Sequence, residues 1–349
     1  MKEKSIAIYG AQMVAVSVYY VIKTLYIEKK VNCFIVNDSS GNPTSIDGIP
    51  VKTLSEFNET DIQIIIATPE NHHATIIADL NAKGLNDYIC MDSKTEASLM
   101  EKFYNETASF TTLRSLGMGE EKAELAVFMS KFYKDQPLKC NYQVPDWICP
   151  IQAGAALTDI RIADICDNTG DNISEKNVNY SELSALYWVG KHTRADYMGL
   201  FHYRRILDVQ EEDLYRLKEN DIDVILPYPT MHYPNIGEHH RRYLKDSDWE
   251  AMLKALEECA LDYASALPEI FAKQYFYNYN MLIAKEGIFK DYCNWMFPIL
   301  QRTEELSVPK GNERADRYIG YLGENLTTLY FMYHQKDYKI VHAGRRMLI

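Results

Sequence analysis

The side chains best suited to chemistry are concentrated in residues 170–208. An amide-rich, charged loop is followed there by an acidic helix start and then by an apolar run that ends in His202-Tyr203-Arg204-Arg205. Arginine presents a planar fork of donors to phosphate oxygens, so the basic end favours an anionic ligand. The alternative is a solvated strand end, because exposed arginine is common. The candidate ligand-binding residues are Asn172, Lys176, Asn177, Glu182, Arg204 and Arg205, and His202 is a candidate catalytic residue.

The elements around these residues predict that they meet at one place. Residues 180–192 carry apolar side chains at the spacing of a buried helix face, with Glu182 in the first turn. Residues 197–201 read as a buried strand that ends at His202. In an open α/β sheet, ligands bind outside the carboxyl ends of the strands. The sequence therefore predicts an anion site at the carboxyl end of this strand.

Three further segments supply candidate site residues. Residues 147–156 form a loop with proline and glycine, where Gly154 lets backbone approach a ligand closely and Gln152 is a further candidate binding residue. Residues 275–284 read as a buried strand with Asn278 and Asn280 on one face. These amides suit the polar groups of a ligand, but they equally suit neighbouring backbone groups. The sequence from residue 320 onwards is predicted to open the last long helix.

Metal binding is an open question at the sequence level. Asp221-Ile222-Asp223 matches the DxD metal signature, but it precedes the strand at residues 224–226 instead of following one, so we interpret it as the start of that strand. His202 suits manganese or zinc as a ligand, and the alternative is a hydrogen-bonded structural histidine. Mn²⁺ or Mg²⁺ is thus an open cofactor prediction.

The N-terminal part predicts a separate domain. Strand-like runs at residues 5–9, 31–36, 62–67 and 87–90 alternate with helical stretches, which is typical of a parallel, Rossmann-like sheet. We place this domain at residues 1–105 and a linker at 106–121. Gly10 stands at the first glycine of a dinucleotide fingerprint, but Gln12 occupies the second position. No nicotinamide cofactor is therefore expected.

Composition restricts the function classes. The chain of 349 residues is long enough for two domains, and its net charge of -12 argues against nucleic-acid binding. No apolar run approaches the roughly 20 residues that span a bilayer. The seven cysteines form no CxxC pair, and the N-terminus lacks a signal-peptide cleavage site. We expect a cytoplasmic protein with, at most, peripheral contact to the inner face of the membrane.

Several motifs resemble a known family. They are GDNIS-KN, Y-EL-ALYW and GL-HYRR within residues 170–205, and PIQAGA (150–155), YNM (279–281), YCNWMFPIL (292–300) and GYLGENL (320–326). In this order they resemble a family of bacterial capsular and exopolysaccharide glycosyltransferases that was long catalogued as a domain of unknown function. The sequence departs from the family pattern at Ser130-Lys131, where a His-Lys-like pair is usual, and at Asn325, where arginine is usual.

The resemblance implies a GT-A-like, mixed α/β glycosyltransferase domain over residues 122–349. It implies transfer of a hexosyl group, galactofuranosyl in some members, from a nucleotide sugar, most often UDP-linked. The acceptor would be a hydroxyl group of a lipid-linked capsular, exopolysaccharide or O-antigen glycan. Gln152, Gly154 and the residues of the basic strand end and its preceding loop would form the donor side, and Asn278 and Asn280 would help to position the sugar. Glu324 would be the general base, and the alternative is an ordinary carboxylate in the first turn of a helix. Arg317, seven residues upstream, would pair with Glu324 or with phosphate.

Two other classes compete with this interpretation. A non-catalytic protein that binds a nucleotide sugar or glycan on a transferase-like fold is compatible with the missing DxD and the altered N-terminal glycine motif. An NAD-dependent sugar-nucleotide oxidoreductase is disfavoured by Gln12. Turnover of a donor separates the first alternative from a transferase.

Overall fold

The computed structural model describes residues 5–138 and 143–348. The strands are β1 Ser5–Tyr9, β2 Val31–Val36, β3 Ser45–Ile46, β4 Ile49–Thr53, β5 Ile62–Ile66, β6 Tyr88–Cys90, β7 Leu125–Lys131, β8 Ile148–Gln152, β9 Ile165–Cys166, β10 Tyr197–His202, β11 Arg205–Leu207, β12 Val224–Pro227, β13 Thr230–Met231, β14 Tyr275–Phe276, β15 Leu282–Lys285, β16 Ile340–Ala343 and β17 Arg345–Met347. The α-helices are α1 Met13–Leu25, α2 His73–Ala82, α3 Ser93–Thr107, α4 Asn177–Tyr180, α5 Leu183–His192, α6 Leu214–Glu219, α7 Asp246–Cys259, α8 Leu261–Phe271, α9 Glu286–Leu306 and α10 Tyr318–Tyr333. Short 3₁₀ turns cover Glu70–His72, Leu113–Ser115, Ala155–Leu157, Ser174–Lys176, Glu211–Asp213, His239–Arg242 and Gly311–Glu313.

The chain divides into two compact units. Unit 1 comprises Met1–Ser109, Thr230–Ile236 and Gln274–Phe276, and unit 2 comprises Phe110–Pro229, Gly237–Lys273 and Tyr277–Ile349. The short segments of unit 1 form the antiparallel pair β13–β14. The Met231 backbone N–H donates to Ser17 Oγ on α1 at 3.0 Å, which ties this pair to the N-terminal part of the same unit.

Unit 1 contains the Rossmann-like sheet that the alternating pattern predicts. Its strand order is β3-β4-β2-β1-β5-β6, and all neighbours except β3 and β4 run parallel. Buried isoleucines of β5 pack with Tyr9 and with residues of α2. Gly10 has φ +122°, and a Cβ there would lie 2.5 Å from the Ala67 carbonyl oxygen, so the turn after β1 requires glycine. The prediction of an N-terminal parallel sheet is confirmed.

Unit 2 is built on a mixed sheet with the order β16-β12-β15-β10-β7-β8-β9. Strand β10 pairs in parallel with β7, and β7 pairs in parallel with β8, whereas β15 runs antiparallel to β10. The buried cluster that includes Val127, Phe201, Leu217 and Ile283 fills one side of this sheet. The predicted mixed α/β fold is therefore confirmed.

The stretch that we interpreted as a linker, residues 106–121, has contacts within unit 2. Leu113 belongs to the buried cluster of that unit, and Arg114 Nη2 lies 3.2 Å from Asp208 Oδ2. Asn220 Nδ2 donates to the Gly117 carbonyl oxygen at 2.8 Å. Much of this polar segment thus packs along the second sheet.

Two sequence-based predictions about elements near the site are wrong. Residues 275–284 do not form one strand, because β14 ends at Phe276 and β15 begins at Leu282. Between them, Tyr279 and Asn280 have φ angles of +77° and +48°, a left-handed conformation that breaks the alternation of faces. The last long helix begins at Tyr318, so Glu324 lies in its second turn and not at its start.

Length and hydrophobicity decide whether a helix can cross a bilayer. Within the described ranges, no helix is both long enough and apolar enough to cross a bilayer.

Candidate functional site

The carboxyl ends of three parallel strands define one edge of the unit 2 sheet. His202, the last residue of β10, pairs in register with Ser130 of β7, and Lys131 pairs with Gln152 of β8. Because β15 runs antiparallel to β10, the residues that precede β15 lie at this same edge. Sheet geometry thus brings His202 and Asn280 together although they are far apart in sequence.

The centre of the site is a hydrogen-bonded group around Glu182. Asn280 Nδ2 donates to Glu182 Oε1 at 2.7 Å and to the Gly320 carbonyl oxygen at 3.2 Å. His202 Nε2 lies 3.7 Å from Glu182 Oε1, and both side chains are largely shielded from solvent, at 14% and 11% exposure. Glu182 is the residue directly before α5, where a carboxylate is favoured by the helix dipole.

A chain of buried hydroxyl groups supports Asn280 from behind. Thr327 Oγ1 donates to Asn280 Oδ1 at 3.1 Å, and the Tyr292 hydroxyl lies 2.6 Å from Thr327 Oγ1. Asn280 is fully buried. This arrangement fixes the orientation of the Asn280 amide and thereby the position of the Glu182 carboxylate.

Glu324 reaches the site because α10 packs closely on its neighbours. A Cβ on Gly323 would lie 2.6 Å from Leu183 Cδ1, and one on Gly320 would lie 3.3 Å from Ser181 Oγ. A side chain at Gly323 would therefore require Leu183 to shift within a packed interior. The two glycines therefore allow α10 to bring Glu324 near Glu182.

The environment of Glu324 perturbs its acidity strongly. Burial, and after it the negative charge of Glu182, raise the pKa of Glu324. A hydrogen bond from the Tyr279 backbone and the charges of Arg205 and Arg317 oppose this rise, and the resulting pKa is about 8. Such a carboxyl group exchanges protons near neutral pH. A pKa in this range suits a general acid or base.

His202 is held in the neutral form. Burial lowers the pKa of His202, the nearby Glu182 raises it, and Arg205 lowers it. Its Nε2 atom is buried without a hydrogen-bond partner among the described residues. A neutral imidazole nitrogen that faces the site can accept or donate one hydrogen bond to a ligand.

Positive charge surrounds these acidic groups. The Arg205 guanidinium lies 4.5 Å from the centre of the Tyr279 ring, and Arg345 lies 5.1 Å from it while donating to the Tyr279 hydroxyl at 3.1 Å. Arg317, in a left-handed conformation, donates from Nε to Ser181 Oγ at 2.9 Å. The side chain of Tyr279, whose backbone has a positive φ angle, thus contacts two guanidinium groups. Strain of this kind is concentrated at functional sites.

The Arg204 side chain lies near Asp135, in the segment that follows β7. Its Nε atom is buried and finds no hydrogen-bond acceptor among residues 5–138 and 143–348, as is also true of Arg205 Nε. Burial raises the pKa of Asp135, and Arg204, Arg317 and Lys131 oppose this rise, which places these three cations around one carboxylate. Cationic side chains thus lie close together at these strand ends. The anion site expected there remains a prediction.

The predicted loop residues are engaged mainly with one another. Gln152 donates to the Ile160 carbonyl oxygen at 2.8 Å and accepts from the Ile162 N–H at 2.9 Å. Asn177 Nδ2 donates to Ser184 Oγ at 2.9 Å, and a Cβ on Gly154 would lie 2.8 Å from the Asn177 side chain. These contacts give Gln152, Gly154 and Asn177 a role in shaping the loop, while their predicted donor contacts remain predictions.

The remaining predicted residues lie at different distances from this centre. Lys176 forms an ion pair with Glu304 at 2.5 Å, on α9. Asn172 closes a local turn, since its amide donates to the Gly170 carbonyl oxygen at 2.8 Å and accepts from the Ser174 N–H at 3.2 Å. Asn278 is buried at the start of the irregular segment before β15. The structure therefore joins Glu182, His202, Asn280, Arg205, Arg317 and Glu324 more closely than the loop residues.

One buried residue that the sequence interpretation missed organises the loop. Asp167 is fully buried and accepts from the Gly154 N–H at 2.9 Å, from the Ala155 N–H at 3.0 Å and from the Ser174 hydroxyl. It directly follows β9, so a carboxylate placed after a short strand was the available signal. Asp167 connects the loop after β8 to the loop before α4.

Candidate metal ligands were assessed from the same geometry. No group of three His, Cys, Asp or Glu side chains able to hold a metal ion occurs among the residues whose structure is described. Asp221 and Asp223, the DxD-like pair, both bind Lys285 and lie before β12, at the opposite edge of the sheet. We therefore assign no metal ligands and derive no step through a metal.

Comparison with known families shows where the chain belongs. The profile of DUF4422, described as a domain of unknown function, matches residues 137–336, which is more than half of the chain. The chain belongs to the DUF4422 family. No curated protein sequence matches it significantly.

Solved structures extend this assignment. The apo structure of the bifunctional glycosyltransferase WbbM is 27% identical and superposes with a TM-score of 0.55 over 64% of this chain and 45% of that chain. This DUF4422 protein thus spans less than half the length of WbbM. The match shows that it has a glycosyltransferase-like α/β fold.

A more distant resemblance adds nothing to this assignment. The mannosyltransferase Ktr4p from S. cerevisiae is 11% identical with a TM-score of 0.25, over 67% of this chain and 76% of that chain. Its complex with GDP is 10% identical with a TM-score of 0.27. Scores of this size do not establish a common fold.

Proposed function

We propose that this DUF4422 protein is a glycosyltransferase that moves a hexosyl group from a UDP-linked donor to a hydroxyl group of a growing glycan. The observation that carries the proposal is the meeting of Glu324 with Glu182, His202 and several arginines at one sheet edge. In this arrangement Glu324 can accept a proton from the acceptor, and the arginines can bind the diphosphate of the donor. The similarity to WbbM supports the same reaction class.

The proposed reaction has one bond made and one bond broken at the anomeric carbon. The acceptor oxygen forms a bond to that carbon while its proton moves to the ionised carboxylate of Glu324. The bond between the anomeric carbon and the donor phosphate oxygen breaks, and UDP leaves with the electron pair. A direct displacement of this kind inverts the configuration at the anomeric carbon.

Arginines have the main electrostatic role in this proposal. Arg204 and Arg205 follow β10 directly, and both have a buried Nε atom that lacks an acceptor within the described parts of the chain. A diphosphate bound there would supply the missing acceptors. Preorganised positive charge stabilises the developing charge on the leaving diphosphate, which is usually the largest electrostatic contribution in such a step.

The narrower features of the proposal come from the sequence resemblance. We propose a capsular, exopolysaccharide or O-antigen glycan as the acceptor, carried on a lipid, with the reaction at the cytoplasmic side of the membrane. A galactofuranosyl group is the narrowest form of the donor proposal. Mn²⁺ or Mg²⁺ remains a proposed cofactor.

Nucleotide release tests the proposal. The purified protein is incubated with UDP-linked and other nucleotide-linked hexoses, with and without manganese and with octyl glycosides as acceptors, and free nucleotide is measured. We expect release from one donor class, and its dependence on manganese tests the cofactor proposal. Selective binding of a donor without release under any condition would contradict the transferase and favour a binding protein.

A further inference from the structure

A stacked pair of tyrosines lies beside the candidate site. Tyr243 follows the 3₁₀ turn His239–Arg242, and Tyr321 lies on α10. Their ring centres are 5.1 Å apart with an interplanar angle of 15°. Tyr243 keeps 42% of its surface exposed, so this pair is not part of the buried core.

The tyrosine pair is close to Glu324. Tyr321 and Glu324 are three residues apart on one helix and therefore lie on the same face. Partial burial raises the pKa of Tyr243, Arg242 lowers it, and the charges of Glu324 and Tyr279 raise it further. The half-exposed Tyr243 ring and the partly buried Tyr321 ring thus lie near the Glu324 carboxylate.

We propose that Tyr243 and Tyr321 form the platform on which the sugar ring of the acceptor packs while its hydroxyl group faces Glu324. This inference rests on the proposed transferase function and adds an acceptor subsite to it. A sugar ring has an apolar C–H face, and tyrosine offers a flat apolar surface with a polar tip. Binding sites for small molecules combine such apolar walls with a few polar groups that fix orientation.

Polar groups at the rim complete this proposed subsite. The Arg242 guanidinium carbon lies 5.7 Å from the centre of the Tyr243 ring, and the His239 ring lies 5.6 Å from it at a steep angle. Burial lowers the pKa of His239 to about 4, so His239 is neutral at physiological pH. The Arg242 guanidinium provides hydrogen-bond donors for the hydroxyl groups of a sugar at this rim, beside the neutral His239 ring.

A second exposed tyrosine supplies a matched control. Tyr333 is 38% exposed and stacks on Tyr263 with ring centres 4.3 Å apart. It lies nine residues beyond Glu324 on α10, which corresponds to about 13 Å along the helix axis. Tyr333 therefore resembles Tyr243 in exposure and stacking but does not border the carboxylate.

Acceptor kinetics test the inference. Wild type, Tyr243→Ala, Tyr243→Trp and Tyr333→Ala are assayed for nucleotide release at saturating donor, with octyl β-galactoside, octyl β-glucoside and octyl α-mannoside as acceptor probes. For Tyr243→Ala we expect the acceptor KM to rise about tenfold, which corresponds to ~1.4 kcal/mol of binding free energy. Tyr243→Trp should restore most of the affinity, and Tyr333→Ala should match wild type.

The outcomes separate this inference from the proposed function. Acceptor-dependent release by wild type with an unchanged KM in Tyr243→Ala would overturn the platform and leave the transferase intact. An equal rise in KM for Tyr333→Ala would also overturn the platform. The platform would fail as well if wild type turned over donor alone and no octyl hexoside stimulated the reaction. The absence of any release from wild type would overturn both. Thermal unfolding of each variant verifies that it is folded.

Discussion

Replacing Glu324 by glutamine is the most informative single change in the site. With a pKa of about 8, only about one tenth of the Glu324 carboxyl groups are ionised at pH 7, and about nine tenths are ionised at pH 9. If the ionised form is the general base, wild-type kcat rises about tenfold over this interval. Glu324→Gln removes the proton acceptor, and we expect kcat to fall by about 10²–10⁴ and to lose this dependence.

The assay is the rate of UDP release as a function of pH. Glu182→Gln provides a second variant with a different expectation: because the charge of Glu182 raises the pKa of Glu324, its removal moves the rise in kcat to lower pH. Glu269→Gln, an exposed position on α8, serves as the control and should leave the profile unchanged. A flat wild-type profile, or a Glu324→Gln variant that retains most of its turnover, would refute the assignment.

The same substitution has a consequence for stability. The pKa of Glu324 is raised from the ordinary value of 4.5 to about 8 by folding, so between these values the folded state holds a proton that the unfolded state releases. The contribution of this proton to the free energy of unfolding is therefore fully present below pH 4.5 and is lost as the pH rises through 8. Glu324→Gln removes this loss. In urea unfolding at pH 9, this variant should be more stable than wild type by at most about 5 kcal/mol. The gain should be smaller than this limit because solvent reaches the partly exposed Glu324 side chain and screens its charge.

The remaining predictions concern charges and their supports. Arg204→Ala should lower UDP release by about 10²-fold or more through lost diphosphate stabilisation while thermal unfolding is preserved, and near-normal turnover would remove Arg204 from the donor site. Asn280→Asp places a carboxylate next to Glu182, and the added negative charge should move the pH-dependent rise in kcat to higher pH. If the midpoint of that rise did not move, Asn280 would not be the residue that positions Glu182. Asp248→Ala should cost about 1–3 kcal/mol in urea unfolding, because Arg314 then loses its buried bidentate partner and keeps Asp316, and an unchanged stability would contradict this.

The control for the arginine prediction is a surface ion pair. Arg302 on α9 is 37% exposed and binds Glu258 at 2.6 Å, away from the sheet edge. Arg302→Ala removes an equal charge without touching the site. We expect normal UDP release from this variant, so a large loss there would indicate that net charge, and not the position of Arg204, controls turnover.

Hydrophobic patterning predicted the strands that carry the site. The short apolar run before His202 indicates a buried strand, as the structure has it, and places His202, Arg204 and Arg205 at or after the carboxyl end of that strand. The alternation of strands and helices likewise predicted the parallel sheet of unit 1. These features depend on local periodicity, which a single sequence shows directly.

The coupling between carboxylates could not be obtained in the same way. The approach of Glu324 to Glu182 depends on Gly323 packing against Leu183 and on the left-handed Tyr279 and Asn280. Neither contact has a signature in the periodicity of its own segment. The predicted alternation of Asn278 and Asn280 failed because tertiary contacts around Tyr279 imposed a conformation that a strand does not allow.

Buried loop contacts were equally hidden from the sequence. Gln152 and Asn177 have the side chains of ligand-binding residues, but their amides are used by neighbouring backbone and hydroxyl groups. Lys176 is similarly engaged with Glu304, which lies 128 residues away in sequence. Residue type alone does not distinguish an amide that binds a ligand from one that holds a loop.

The mass of the acceptor product shows directly whether the protein transfers a hexosyl group and whether this transfer needs Glu324. Wild type and Glu324→Gln are incubated with the UDP-hexose that supports nucleotide release and with the octyl glycoside that stimulates it, and the products are separated and weighed by mass spectrometry. We predict an octyl glycoside heavier by one hexosyl residue in the wild-type reaction and little or none of this product with Glu324→Gln. An unmodified acceptor beside free hexose, or equal product from both proteins, would contradict it.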